Sequence, residues 1–211
     1  MRQYSKLAIV GLVAVLLTAT ICRGEDDFTL YELLAPDSHK FAITYDVTTP
    51  RAGARFYLNP IRRGSVATDE RVVDRRTGKE LRFETISGKQ AKIEGLRSQR
   101  TADDARFVKV HLARPVPEGG EARMRIYKTY EDPASYWSEG ERIVFKRNLG
   151  IKANVVVLPP GYELVGCSVP AIVSTLDDGR LKASFLNDRD DQLQVQIIGR
   201  RLDADDAEDR P

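Results

Sequence analysis

Residues able to do chemistry are sparse in this sequence and gather in one stretch, IYKTYEDPASYWSEGERIVF, Ile126 to Phe145. It sets Tyr127, Tyr130, Tyr136 and Trp137 around Pro133, with Glu131 and Asp132 adjacent and Glu139 close by. Two chemistries suit such a set. Flat aromatic faces stack on sugars or peptide side chains while neighbouring acids take hydrogen bonds, which makes Tyr127, Tyr136 and Trp137 the candidate ligand-binding residues. A pair of carboxylates roughly 5 to 9 Å apart can instead hydrolyse a glycosidic bond, and Glu131, Asp132 and Glu139 are the acids nearest the rings. The purely structural alternative is that the rings cover the open end of a sandwich while the acids serve a turn.

Other catalytic classes lack their residues. A transition-metal site needs three or four converging ligands, whereas the histidines are His39 and His111 alone and the cysteines Cys22 and Cys167. Both histidines read as surface residues. The nucleophile elbow Gly-x-Ser-x-Gly is approached only by Gly166-Cys167-Ser168, which continues into Val169-Pro170 where the second glycine belongs. Cys167 lies within an apolar run and reads as a small buried hydrophobe. Asn187–Gln192 and Ser174–Arg180 are rich in oxygen ligands without the spacing of a calcium loop, and read as hairpin tips. The sequence therefore assigns no catalytic residue, no metal ligand and no cofactor.

The N-terminus, MRQYSKLAIVGLVAVLLTATICRG, has Arg2 and Lys6 before an eleven-residue apolar run from Leu7 to Leu17, followed by small residues. This is the pattern of a secretory signal covering residues 1–24. The alternatives are a retained membrane anchor, for which the run is short against the roughly twenty residues a span requires, and a lipid anchor on Cys22. Ile21 fits poorly the small residue expected before a lipidated cysteine. Removing residues 1–24 removes three basic residues and no acid, so the mature chain has one acid more than it has bases. Near neutrality argues against nucleic acid and against an anionic membrane as partners. Membrane association would need the signal segment or Cys22 to be kept. Cys167 is then the only cysteine left, so burial rather than a disulfide must hold the core. From Asp203 the chain is acidic with nothing larger than alanine among its apolar residues, and reads as a disordered tail over 203–211.

The elements that must position any site are strands. In KFAITYDVTT, Phe41, Ile43, Tyr45 and Val47 alternate with Ala42, Thr44 and Asp46; Val108, Val110 and Leu112 alternate likewise, as do Ala122, Met124 and Ile126. The same alternation turns Tyr127 away from the core. Further on, Leu181, Ala183 and Phe185, then Leu193, Val195 and Ile197, point inward, and Val155–Leu158 reads as a strand covered on both faces. RRTGKE, PEGGE and LDDGR carry hairpin turn chemistry. DDFTLYELLA fits a short helical turn or a strand, and 89–105 reads as a long connection. The expected fold is all-β, an antiparallel β-sandwich of one or two units joined by hairpin-rich connections. The divisions are a β-sandwich unit over 25–132, a connecting loop over 133–140 and a second β unit over 141–202.

PVPEGGEARMRIYKTYEDPASY and LGIKANVVVLPPGYELVGCSVP resemble segments of secreted bacterial β-sandwich proteins of unassigned function. VPEGGE before a strand and the later VLPPGYEL also resemble the β-rich N-terminal domain of M1-type zinc aminopeptidases, without their His-Glu-x-x-His zinc motif. The resemblance implies a sandwich and no catalysis. The sequence as a whole predicts an exported bacterial envelope protein, periplasmic or extracellular, acting as a binding or structural module. Its partner would be a glycan, a peptide or an envelope protein's sheet edge. The rival prediction is a carbohydrate-active hydrolase using a carboxylate pair.

Overall fold

The computed structural model describes residues 27–96 and 101–202; the expected signal segment with Cys22, and the tail from residue 203, lie outside them. Along the described chain run strands β1 (Phe28–Leu33), β2 (Lys40–Thr49), β3 (Phe56–Ile61), β4 (Val66–Asp74) and β5 (Phe83–Ser87), then helix α1 (Gly88–Ile93). Strands β6 (Arg106–His111), β7 (Ala122–Glu131), β8 (Tyr136–Glu139), β9 (Arg142–Leu149) and β10 (Ala153–Val157) follow. The last four are β11 (Tyr162–Cys167), β12 (Ile172–Thr175), β13 (Leu181–Leu186) and β14 (Leu193–Arg201). They form three sheets: a seven-stranded one ordered β12-β13-β10-β1-β2-β7-β4, a four-stranded one ordered β11-β14-β9-β8, and a three-stranded one ordered β3-β6-β5. The fold is all-β and sandwich-like. Every pairing is antiparallel except β1 with β10.

Both small sheets pack on one face of the large sheet. Phe145 of β9 meets Phe41 of β2 and Tyr31 of β1, in each case with ring centroids 5.4 Å apart. Phe41 in turn lies edge-on to Tyr130 of β7, at 6.0 Å. On the same face, Lys128 of β7 donates to Asn59 Oδ1 of β3 at 2.6 Å. The alternating positions read from the sequence are the ones that turn inward: Phe41, Ile43 and Val47 are buried, as are Val108, Val110, Met124, Ile126, Ala183, Phe185, Val195 and Ile197. In DDFTLYELLA the strand wins, because Thr29, Tyr31 and Leu33 all point into the core while Phe28, Leu30 and Glu32 do not.

The chain from 133 to 140, expected as a connecting loop, is a turn followed by strand β8. Tyr136 turns inward and is fully buried, and Gly140-Glu141 closes a two-residue hairpin onto β9 with a positive φ (62°) at Gly140. Strand pairing does not stop there: β10, β12 and β13, from the expected second unit, extend the sheet that contains β1, β2 and β7. One alternating residue pair, Tyr136 and Trp137, is too short a pattern to announce a strand. Of the three turn sequences, LDDGR closes the β12–β13 hairpin, whereas PEGGE carries the chain from the three-stranded sheet to the seven-stranded one. Within the expected 89–105 connection, α1 begins under a cap, Ser87 Oγ accepting from Gln90 N at 3.2 Å.

Phe145 is an aromatic contact through which the four-stranded sheet grips the large one. Phe145→Ala is expected to lower unfolding free energy by about 3–5 kcal/mol in urea titration. Leu186→Ser, at an exposed position on β13, should change it by no more than about 0.5 kcal/mol.

Candidate ligand-binding site

The aromatic cluster read from the sequence does not form a platform. Tyr136 and Tyr130 are buried in the core, and the Tyr136 hydroxyl donates to Leu34 O at 2.9 Å. Tyr127 is on the outer face of the seven-stranded sheet, alternating with inward Ile126 and Lys128, and the Arg71 guanidinium lies 4.2 Å over its ring. Trp137 alternates with Tyr136 on the outer face of the four-stranded sheet, where its Nε1 donates to Glu139 Oε1 at 2.7 Å. The two sheets pack through their inner faces, so Tyr127 and Trp137 point away from each other.

The neighbouring acids are engaged in structure. Asp132 is buried; its Oδ2 accepts from Ser135 Oγ at 2.7 Å, Ser65 Oγ at 3.0 Å and Arg147 Nη1 at 3.2 Å, with Arg62 Nε at 3.7 Å. Its carbonyl accepts from the Ser135 and Tyr136 amides, closing the Asp-Pro-Ala-Ser turn. Glu131 faces outward and pairs with Lys40 at 3.7 Å. His39 Nδ1 lies 3.1 Å from the Tyr136 carbonyl, and His111 Nε2 lies 3.0 Å from Glu84, so the two histidines serve separate places in the fold.

What the structure brings together is a different set. Where the three sheets meet, the large sheet's inner face is left uncovered along a groove of about 240 Å³. Thr29, Tyr31, Ile43, Tyr45, Lys128 and Tyr130 form its floor; Asn59, Pro60 and Arg62 are one wall, Arg147 and Ile151 the other. Lys128 owes part of its setting to a bulge on β4. The register with β7 jumps from Thr68↔Thr129 to Arg71↔Tyr127, so Asp69 and Glu70 together oppose Lys128, and Asp69 takes up the extra residue at φ 54°. A larger cavity, about 380 Å³, lies beside Asp74–Arg76 and Leu112–Pro117. Its charged groups are engaged in structure: Asp74 caps the Arg76 and Thr77 amides, Arg75 pairs with the buried Asp46 at 3.5 Å, and Arg123 pairs with Glu121 at 2.7 Å.

The groove is basic, and its two innermost cations are buried. Lys128 is 6% exposed and Arg147 8%. Both cations sit beside one ring: Lys128 Nζ is 5.0 Å and Arg147 Cζ 5.5 Å from the Tyr130 centroid, and Arg147 also lies over Phe41 and Tyr31. Burial pushes the Lys128 amine down to about 8; Glu70 opposes the fall and the Arg147 charge adds to it. Burial likewise lowers Arg147 and raises Tyr31, Tyr45 and Tyr130. The Arg147 and Thr29 side chains both act on the Tyr31 hydroxyl, and beyond that contact Arg147 Nε and Thr29 Oγ1 make no well-formed hydrogen bond. Neither cation was singled out from the sequence. The available signal was Lys128 itself, a lysine on the inward register of Met124, Ile126 and Tyr130.

Comparison with family models finds none that matches the sequence, and comparison with curated proteins finds no match. Solved structures do show a likeness. The M1 zinc metallopeptidase of Deinococcus radiodurans superposes with a TM-score of 0.50 at 12% identity, over 82% of this chain and 41% of that one. The fold resembles that of part of an M1 zinc metallopeptidase. An aminopeptidase N family protein of Idiomarina loihiensis is similar at a TM-score of 0.47 and 10% identity, over 82% of this chain and 29% of that one. The chain thus spans less than half the length of either protein. At such identities the likeness is one of fold alone, and it agrees with the resemblance to the M1-type β-rich domain noted in VPEGGE and VLPPGYEL.

Two outcomes follow from the site's electrostatics. Asp132→Ala should destabilise the chain by about 3–5 kcal/mol in urea titration, because it strands the buried Arg147 guanidinium. For Lys128, the folded value lies below the unfolded one, so the cost of its charge is borne in full below about pH 8. It is relieved as the folded state loses the proton while the unfolded chain retains it. Stability should therefore rise between about pH 8 and 9.5, below the range where the tyrosines titrate. The urea midpoint of Lys128→Met should lack this rise; parallel pH profiles for the two proteins would contradict the assignment.

Proposed function

We propose that the chain is an exported bacterial envelope protein that acts as a binding module and holds its ligand in the groove where the three sheets meet. The observation that supports this is the groove itself: it is concave and open, it draws residues from all three sheets, and tyrosines and buried polar groups line it. Export is supported by the charged start and apolar run of residues 1–24. The rival hydrolase needs two acids free to act on a bond. Asp132, Glu131 and Glu139 are instead engaged with arginine and serine, with lysine and with the tryptophan indole. Glycan, peptide and envelope-protein partners all remain within this reading, and Tyr127 and Trp137 are surface residues in it.

The test uses the protein without residues 1–24, screened against oligosaccharide and peptide libraries by equilibrium binding. A ligand should be retained at one per chain and recovered unaltered. Ile43→Trp, which fills the groove floor, should abolish retention. Steady turnover that is lost in Glu131→Gln or Asp132→Asn while binding persists would establish the hydrolase instead.

A further inference from the structure

Lys128 and Arg147 present an arrangement that a purely structural role leaves unexplained. Two like charges, one on β7 and one on β9, are buried against the same tyrosine ring, at 5.0 and 5.5 Å from its centroid, and each makes the other harder to keep charged. Burying a cation is costly unless it is paired and fully hydrogen-bonded. Arg147 is paired with Asp132, but that carboxylate oxygen also serves Arg62, Ser65 and Ser135. Lys128 has three donors, and the hydrogen bond it makes is to the neutral amide oxygen of Asn59. Glu70 acts on it through space, across the bulge, and one of that carboxylate's oxygens is itself buried without a hydrogen-bond partner.

The unused capacity is concentrated at the groove. Arg147 Nε and Thr29 Oγ1, on side chains 8% and 3% exposed that belong to its lining, lie by the Tyr31 hydroxyl and make no well-formed hydrogen bond. Buried polar atoms whose hydrogen bonding is incomplete in a native fold call for an explanation, and a bound group is one. Three cations, Lys128, Arg147 and Arg62, face the buried Asp132 and the half-buried Glu70, while Asp69, exposed on the bulge, accepts from Thr68 Oγ1, so the excess within the groove is a single positive charge. That balance suits a monoanion. The rest of the lining, Ile43, Ile151, Pro60 and the Tyr45 ring, suits an apolar or aromatic body and not a fully hydrated ion.

We infer that the groove receives the carboxylate of an organic acid, seated between Lys128 and Arg147, with the ligand's apolar body against Ile43, Tyr45 and Ile151. This rests on the groove being the ligand seat, and it specifies the ligand's chemical class. A peptide C-terminus and an acidic sugar both carry such a group.

The experiment titrates the mature protein with benzoate, with neutral benzamide and with sulfate at matched ionic strength, following amide chemical shifts. Benzoate should saturate and shift groove resonances, with benzamide and sulfate each at least about tenfold weaker. Lys128→Met should weaken benzoate at least about tenfold and so narrow its advantage over benzamide. Wild-type affinity for benzoate should also fall as the pH is raised from 7 to 9.5, where benzoate stays ionised, so the test stands even if the variant does not fold. Equal binding of benzoate and benzamide in the groove would overturn the carboxylate inference and leave the groove as the ligand seat. Sulfate binding as well as benzoate would overturn the monoanion, and a benzoate titration with no groove shifts would overturn the inference altogether. Among carboxylates, an N-acetyl dipeptide acid compared with its amide, and glucuronate compared with its methyl ester, separate the two sources.

Discussion

Arg147 carries a charge into the place where three sheets converge, and the junction depends on how that charge is held. One side of the guanidinium is fixed by Asp132, the other lies against Tyr31, Phe41 and Tyr130. Asp132 in turn anchors the turn that launches β8 and gathers Ser65 and Arg62 from the far side of the junction. A single carboxylate thus ties together chain segments that belong to or adjoin all three sheets. Breaking a pair of this kind leaves an uncompensated buried charge, which is more damaging than never having built it.

The groove follows from the layering. A seven-stranded sheet is broad enough to take two smaller sheets side by side on one face, and two separately twisted sheets do not close perfectly against each other. Along the seam, inward positions of β1, β2 and β7 are buried by neighbours without being covered by a continuous apolar layer. Lys128 and Arg147 survive there because each keeps some hydrogen bonding, with Asn59 and with Asp132. The likeness of fold to part of an M1 zinc metallopeptidase concerns this sheet architecture. It says nothing of what occupies the seam here.

Much of the strand framework is legible in the residues. Phe41, Ile43 and Val47 on β2, and Met124 and Ile126 on β7, alternate with polar neighbours and are buried as that alternation implies. The turn at Asp132 was legible too, from Asp-Pro-Ala-Ser and its small polar residues. Less legible were elements shorter than the pattern that reveals them: β8, with one inward ring, and α1, whose six residues sit in a polar stretch. The aromatic cluster fails to assemble for a related reason. Tyr127, Tyr136 and Trp137 are close in sequence, yet alternation and the change of sheet at Pro133 send them to an outer face, the core and a second outer face.

By itself the sequence determined the all-β character, the inward face of most strands and the turn chemistry between them, because side-chain alternation and backbone preference are local properties. Only the tertiary structure decided which sheet covers which face, that β10 joins β1 across the middle of the chain, and that Lys128 and Arg147 share one tyrosine ring. Period two tells a residue which side of its own strand it occupies. What lies opposite depends on pairings between distant segments, and neither composition nor spacing encodes them in a form that can be read along the chain.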